Sequence, residues 1–232
     1  MTVADDTDDA KEPARRRGRP RRRAADSGLP TREQILQTAG SLFAEKGFAG
    51  TSTRDIAKRA GLRQPSLYHH FANTDAMLAE LIERAGRGSL DLFEQVDALE
   101  AAPAVRFYRA VYLESRMLAG WPDWLKVICQ LPELRQPRHL HFIAIRDRII
   151  AWYQATIAAG VAGGDFRAMD PAFAGWLVNG LNEAIFDLAP STPRLEPEDH
   201  ARRVADFALA AVLLRPSRCA GVRRAADRLV QP

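Results

Sequence analysis

Four polar side chains, Gln64, Ser66, Tyr68 and His70, stand in the short stretch Gly61-Leu62-Arg63-Gln64-Pro65-Ser66-Leu67-Tyr68-His69-His70-Phe71, with Leu67 and Phe71 at the inward positions between them. The chemistry they offer is recognition. A Gln amide can make paired hydrogen bonds to adenine, and a Ser hydroxyl or a Pro ring can touch base edges and the thymine methyl. The stretch follows a short helical pattern, Ser52 to Ala60, that breaks at Gly61. A short helix, a Gly-containing turn and a second short helix form the layout of a DNA-reading helix-turn-helix.

The charge distribution points the same way. The formal charge of the 232-residue chain is +4, but residues 1–10 contribute −4 and residues 11–23 contribute +7, leaving about +1 for the rest. The body is near neutral, so bulk basicity does not suit it to coat DNA. The positive charge lies on an Arg-rich arm, poor in large apolar residues and therefore expected to be disordered, that attracts phosphate. Within it, Arg17-Gly18-Arg19-Pro20 is similar to the core of an AT-hook, in which Gly lets the backbone approach the floor of an A·T-rich minor groove and Arg favours its negative potential. Insertion into the groove and non-selective phosphate attraction both remain open for Arg17, Gly18 and Arg19.

The elements that must position these residues read as helices throughout. Thr31 with Gln34 makes one capping box and Ser52 with Asp55 a second. Between them Ile35, Ala39, Leu42 and Phe43 share a helical face, and Gly47 ends that helix. Ile56, Ala57 and Ala60 form the inward face of the next helix, and Gly61 supplies a left-handed turn. Gln64 is read as the cap of the third helix, with Pro65 in its first turn, and Asn73 as the cap of the fourth. No period-two strand pattern stands out, so the chain is read as all-α with about nine helices. Cys129 and Cys219 give no disulfide framework and suit a reducing cytoplasm. No apolar run approaches the ~18 residues that a membrane span needs, and the N-terminus lacks the pattern of a secretory signal.

Residues 31–81 resemble the DNA-binding domain of the tetracycline-repressor-like (TetR) family of bacterial regulators. The resemblance rests on Thr51-Ser52-Thr53-Arg54-Asp55-Ile56-Ala57, Ala60-Gly61-Leu62, Ser66-Leu67-Tyr68-His69-His70-Phe71 and the segment from Asn73 to Leu78. It implies a bacterial cytoplasmic, nucleoid-associated homodimer that binds an inverted-repeat operator and answers to a small-molecule effector. It also implies a helix-turn-helix domain over residues 29–76 behind an arm at 1–28, a helical ligand-binding and dimerisation domain over 77–215, and a C-terminal tail at 216–232. Carried over by position, Thr53, Arg54, Gln64, Pro65, Ser66, Tyr68, His70 and Thr74 face DNA, and Arg63 and His69 flank them. Tyr68 and His70 would hold phosphates and set register without reading sequence. Many relatives carry Lys in place of Thr74. Thr keeps a hydrogen bond there but loses the charge, which Arg63 can restore nearby.

In the second half, Phe107, Tyr108, Tyr112, Trp121, Trp124, Phe142, Trp152 and Trp176 are aromatic residues at helical spacings. They are core residues or the lining of an apolar pocket, and any one of Arg116, Arg146 and Arg148 that faced inward would suit an anionic group. The segment from Gly164 to Pro171 resembles the connection before the penultimate helix of the family. By that resemblance residues 172–188 and 198–214 pair with their mates in a four-helix bundle, through Phe173, Leu177, Leu181, Val204, Phe207, Ala208, Ala211 and Val212. Tyr112-Leu113-Glu114-Ser115-Arg116 and Pro132-Glu133-Leu134-Arg135 resemble members that sense acyl-thioesters or other lipid-like metabolites.

No metal or cofactor is expected. His69 and His70 diverge by about 100° on a helix, and His139 and His141 also point apart. No nucleophile–base pair or phosphate-cradling Gly loop occurs at usable spacing, so an enzyme is not expected. A ligand-responsive repressor is the leading expectation. The alternative is an architectural protein that binds A·T-rich DNA through the arm.

Overall fold

The computed structural model describes residues 31–187 and 194–229. The arm with Arg17, Gly18 and Arg19, residues 188–193 and 230–232, and the side chains of Arg138 and His141 lie outside the described residues. The described residues form ten α-helices: α1 (Thr31–Lys46), α2 (Thr53–Arg59), α3 (Gln64–Tyr68), α4 (Thr74–Asp97), α5 (Pro103–Ala119), α6 (Asp123–Ile128), α7 (Leu140–Ala162), α8 (Pro171–Glu183), α9 (Pro197–Val212) and α10 (Cys219–Arg228). Among these residues there is no strand, only one isolated bridge between Phe166 and Leu213.

Two apolar cores organise the helices. The first is closed by Ile35, Leu36 and Phe43 of α1, Ile56 of α2, Leu67 of α3 and Met77, Leu78 and Ile82 of α4. Burying each such side chain contributes roughly 1.5–3 kcal/mol, which is why helices as short as α2 and α3 hold their shape. The second core joins Phe93 and Val96 at the far end of α4 to Phe107, Tyr108 and Val111 of α5, Tyr153 and Ile157 of α7, and Ala208, Leu209 and Val212 of α9. Helix α4 belongs to both, so the expected boundary between residues 76 and 77 falls inside one continuous helix.

Local signals set most helix ends. Ser52 and Asp55 form a complete capping box on α2, and Asn73 Oδ1 accepts from the Ala76 amide at 2.8 Å to cap α4. Gly61 takes φ +68°, the left-handed turn between α2 and α3. One expected cap differs. The N-cap of α3 is Arg63, without a side-chain bond, so Gln64 is the first residue of the helix and Pro65, with its missing N–H, the second. The Gln34 amide donates to the Ala60 carbonyl at 3.2 Å and ties α1 to the end of α2.

The C-terminal regions also depart from expectation. Helix α8 ends at Glu183 and tightens into a 3₁₀ turn at Ala184–Asp187. The segment read as a tail contains α10, whose Val222 and Ala226 are buried in the second core. That makes ten α-helices among the described residues, where about nine were expected for the chain. Its apolar residues are few, and charged neighbours mask the pattern.

Candidate DNA-reading surface and effector cavity

Helices α2 and α3 bring three of the expected DNA-facing side chains together. Thr53 Oγ1 and the Tyr68 hydroxyl lie 3.2 Å apart, and the Gln64 amide nitrogen lies 3.4 Å from each. These long bonds hold a polar triangle in place while leaving its members free to exchange partners. They also hold the Tyr68 hydroxyl below its ordinary range, chiefly through Thr53 and then Gln64. Around the triangle Arg54, Arg63, Pro65, His69 and His70 are exposed, and Ser66 and Thr74 are half-buried. Leu67 is fully buried behind them, which aims the polar face outward.

Arg32 is a positioning residue that sequence reading missed. It ion-pairs with Glu80, donates to the His70 carbonyl at 3.1 Å and lies 4.1 Å over the Phe71 ring. It therefore ties the end of α3 to both α1 and α4. Only a reading that placed Phe71 under α1 would have singled it out.

The second half forms a cavity of about 540 Å³, open to solvent on one side, between α4, α5, α7, α8 and the segment that follows α6. Of the expected pocket residues, Trp121 and Phe142 line it. Phe107 and Tyr108 are instead packed inside the second core, and the Tyr108 hydroxyl donates to Asp206 at 3.0 Å. Tyr112 sits away from the cavity among Arg109, Arg116 and Arg202, and Arg116 is exposed. Trp152 stacks on Phe93 at 4.4 Å and donates to Asp97. Trp176 is 53 % exposed on the outer face of α8. Helical spacing alone places an aromatic residue on a face without saying which neighbour that face meets.

The polar wall of the cavity joins Glu114 and Ser115, from a segment singled out by resemblance, to Tyr153 and Asn182, which the sequence did not mark. Glu114, wholly buried on α5, accepts from the Tyr153 hydroxyl at 2.5 Å and the Asn182 amide at 2.7 Å, and Ser89 also bonds to it. Ser115 donates to the Asn182 oxygen at 2.5 Å. Burial outweighs these bonds and raises Glu114 above the usual carboxylate range. Arg146 makes two bonds to Glu183, at 3.0 and 2.9 Å. Burial pushes the Cys129 thiol up to about 12, which leaves it a small apolar lining group.

The cavity and the reader share residues. Cys129, Leu131, Leu134 and Phe142 line the cavity and also pack against the first core, in which Leu134 is 2 % exposed. Next to them Trp124, an expected pocket residue, is wedged against α1. A Cβ added at Gly40 would stand 2.4 Å from its ring, so only glycine admits that approach.

On the outside of α8 and α9, Phe173, Trp176, Leu177 and Phe207 are 59, 53, 49 and 67 % exposed, and Phe173 and Trp176 stack with centroids 6.3 Å apart. Ala211 is exposed with them, whereas Leu181 and Val204 are half-buried against the second core. Ala208 and Val212, expected on this face, point into the subunit and are 2 and 3 % exposed. The α9 stripe read from the sequence mixed the inward and outward sides of one helix. Among the described residues there is no group of three or more potential metal ligands, and no helix long and apolar enough to cross a membrane.

Comparison with known proteins meets this geometry at both ends of the chain. The family profile described as "Bacterial regulatory proteins, tetR family" matches residues 35–81, the reader itself. The HTH-type transcriptional repressor KstR2 of Mycolicibacterium smegmatis is 43% identical over 145 residues, which cover 59% of this chain and 67% of the relative. Among solved structures, Mycobacterium smegmatis AmtR is 29% identical with a TM-score of 0.69, covering 90% of this chain and all of that one. The TetR family transcriptional regulator PfmR of Thermus thermophilus is 30% identical with a TM-score of 0.67, covering 75% of this chain and 96% of that one. Such proteins are transcriptional regulators and not enzymes. The chain belongs to the TetR family of DNA-binding transcriptional regulators.

Proposed function

We propose that this protein is a homodimeric repressor that leaves a palindromic operator when a small, mostly apolar ligand fills the cavity behind its reader. The observation that carries this reading is the shared floor. Leu134, Leu131, Cys129 and Phe142 touch the cavity on one side and the reader core on the other. A ligand that displaces them must move the packing of α1 and α4, and α4 leads directly into the reader. This is allostery in the thermodynamic sense, because the ligand gains contacts in one state that it lacks in the other.

On DNA, Gln64, Pro65 and Ser66 would read base edges, while Thr53, Tyr68, His70 and Thr74 hold phosphates and Arg54, Arg63 and His69 add contacts beside them. The exposed aromatic face on α8 and α9 would be buried against a second copy. Two readers related by a two-fold axis require half-sites one helical turn apart, or an integral multiple. The name of the KstR2 relative supports repression as the sense of regulation. The segments around Glu114 and Leu134 line the cavity, which supports an acyl-thioester or another lipid-like metabolite as the ligand class.

In vitro selection of genomic fragments with the purified full-length protein, at near-physiological salt, tests this reading. An inverted repeat beside a few genes is the expected result. Dispersed A·T-rich fragments without a repeat would overturn it and would favour an architectural protein acting through the arm at residues 1–28.

A further inference from the structure

Among the described residues that line the cavity, one buried polar group is not used by the protein itself. Asn179 on α8 lines the cavity and is 3 % exposed, yet its amide nitrogen has no hydrogen-bond partner. A buried amide donor left in this state costs about 1–3 kcal/mol, so its place here needs a reason. The polar groups packed beside it are engaged. One turn further along, Asn182 has its oxygen bonded to Ser115 and its nitrogen to Glu114 and Tyr153. Arg146 is closed onto Glu183 by two bonds. Arg135, the other cation of the lining, is exposed to solvent. The walls around these groups, such as Leu118, Ile145 and Ile149, are apolar.

From this arrangement we infer that Asn179 selects the effector, by donating its amide N–H to an uncharged carbonyl oxygen on an apolar body, as in a ketone or a thioester, while the cavity rejects a free carboxylate. The inference rests on the reading of the cavity as the effector site. Rejection follows from charge. A carboxylate beside Asn179 would be desolvated with no buried, unpaired cation to meet it, next to the buried Glu114 carboxyl. Burial of an unmatched charge is far more costly than burial of a carbonyl that receives a hydrogen bond. Any anionic portion of the natural ligand is left to the solvent side, where Arg135 stands.

The test is equilibrium dialysis of the full-length protein against three probes of similar chain length: 2-decanone, decanoate and decane. In the wild type, 2-decanone is expected to bind at least about tenfold more tightly than decanoate. Asn179→Leu is expected to weaken 2-decanone about three- to tenfold while leaving decane unchanged, as loss of one neutral hydrogen bond dictates. The same variant is expected to melt no lower than the wild type without ligand, because an unpartnered amide has been removed. Asn179→Ala, which opens space where Leu fills it, should show the same selective loss and covers the case in which Leu does not fit. Decanoate binding as tightly as 2-decanone, or a preference for 2-decanone that survives in both variants, would overturn this inference and leave the cavity reading intact, provided that Ile143→Trp abolishes binding of all three probes. Unchanged probe binding in Ile143→Trp, whose added ring would occupy the cavity, would overturn the cavity reading and this inference with it.

Discussion

The buried carboxyl at Glu114 permits a sharp test of how the cavity wall is held. Glu114→Ala removes the acceptor of the Tyr153 hydroxyl and of the Asn182 amide, 2.5 and 2.7 Å away, and of Ser89 as well. A buried donor stripped of its partner costs about 1–3 kcal/mol. The adjoining cavity can admit water to some of the three, so the expected loss is about 2–4 kcal/mol rather than the full sum. In a chain of this size that lowers the melting temperature by roughly 4–16 °C. Glu114→Gln keeps an oxygen for Tyr153 and Asn182 and turns an amide toward Ser89, so it should lie within about 1 kcal/mol of the wild type. The pH dependence separates the two forms of the carboxyl. Its folded-state value is raised above the ordinary 4.5 by burial. The stability tied to the neutral acid is therefore fully present below that ordinary value and is lost as pH rises through the folded-state value. The melting temperature of the wild type minus that of Glu114→Gln, followed by circular dichroism from pH 4 to 9, should accordingly fall with rising pH. A flat or rising difference, or a Glu114→Gln loss as large as that of Glu114→Ala, would mean that the carboxyl is held as an anion and would refute the account of the wall.

Other perturbations address the remaining parts. Gln64→Ala should cost roughly 1–3 kcal/mol of operator affinity per half-site and relax preference at one base position, whereas Tyr68→Phe should weaken binding to every sequence alike; gel-shift titrations against single-base operator variants read both. Trp176→Glu combined with Phe207→Glu, both on exposed positions, should leave a folded subunit with its helical circular dichroism intact but convert dimer to monomer in sedimentation velocity; persistence of the dimer would move the interface elsewhere. Trp124→Ala, which empties the space against Gly40, should reduce the effect of effector on operator binding by more than it reduces operator binding itself, measured by the same titrations with and without ligand. Deletion of residues 1–25 should weaken operator binding and flatten its dependence on salt, and an unchanged slope would remove the arm from the mechanism.

The reader was legible because its determinants are local. The capping box at Ser52, the cap at Asn73, the left-handed Gly61 and the inward Leu67 and Phe71 each act within a few residues, and each stands where the spacing puts it. The cavity was not, because what defines it is the meeting of helices far apart in the chain. Glu114 and Asn182 are 68 positions apart and bond side chain to side chain. The segment around that glutamate stood out by resemblance, but nothing in its spacing told that the carboxyl is buried and not solvated like the acids around it. The aromatic residues offered the opposite lesson. Phe107 and Trp176 share composition and periodicity, yet one is fully buried and the other half exposed, because a helix face takes its role from the helix that covers it. Arg146 followed the same rule. Its inward position was one of the options open to the arginines of this half, but its neutralisation by Glu183 from α8 reverses what that position means for a ligand.

Under the proposed function, the shared floor would set the energy scale of regulation. Moving a two-state regulator from about 1:99 to 99:1 requires a preference of about 5.5 kcal/mol for the released state. In a dimer with two cavities that is roughly 2.7 kcal/mol per bound ligand. Full burial of one leucine or phenylalanine contributes roughly 1.5–3 kcal/mol. Leu134 is almost wholly buried between cavity and reader, and Phe142 packs beside it. Transfer of one such side chain from the reader core to contact with the ligand is thus of the size that switching needs. Loss of the same side chain from the reader, unaided by ligand, would disorder α1 against α4 at similar cost. The residues best placed to transmit binding are therefore also those whose truncation should mimic it. Leu134→Ala is expected to weaken operator binding in the absence of any effector, and to leave effector binding with less to change.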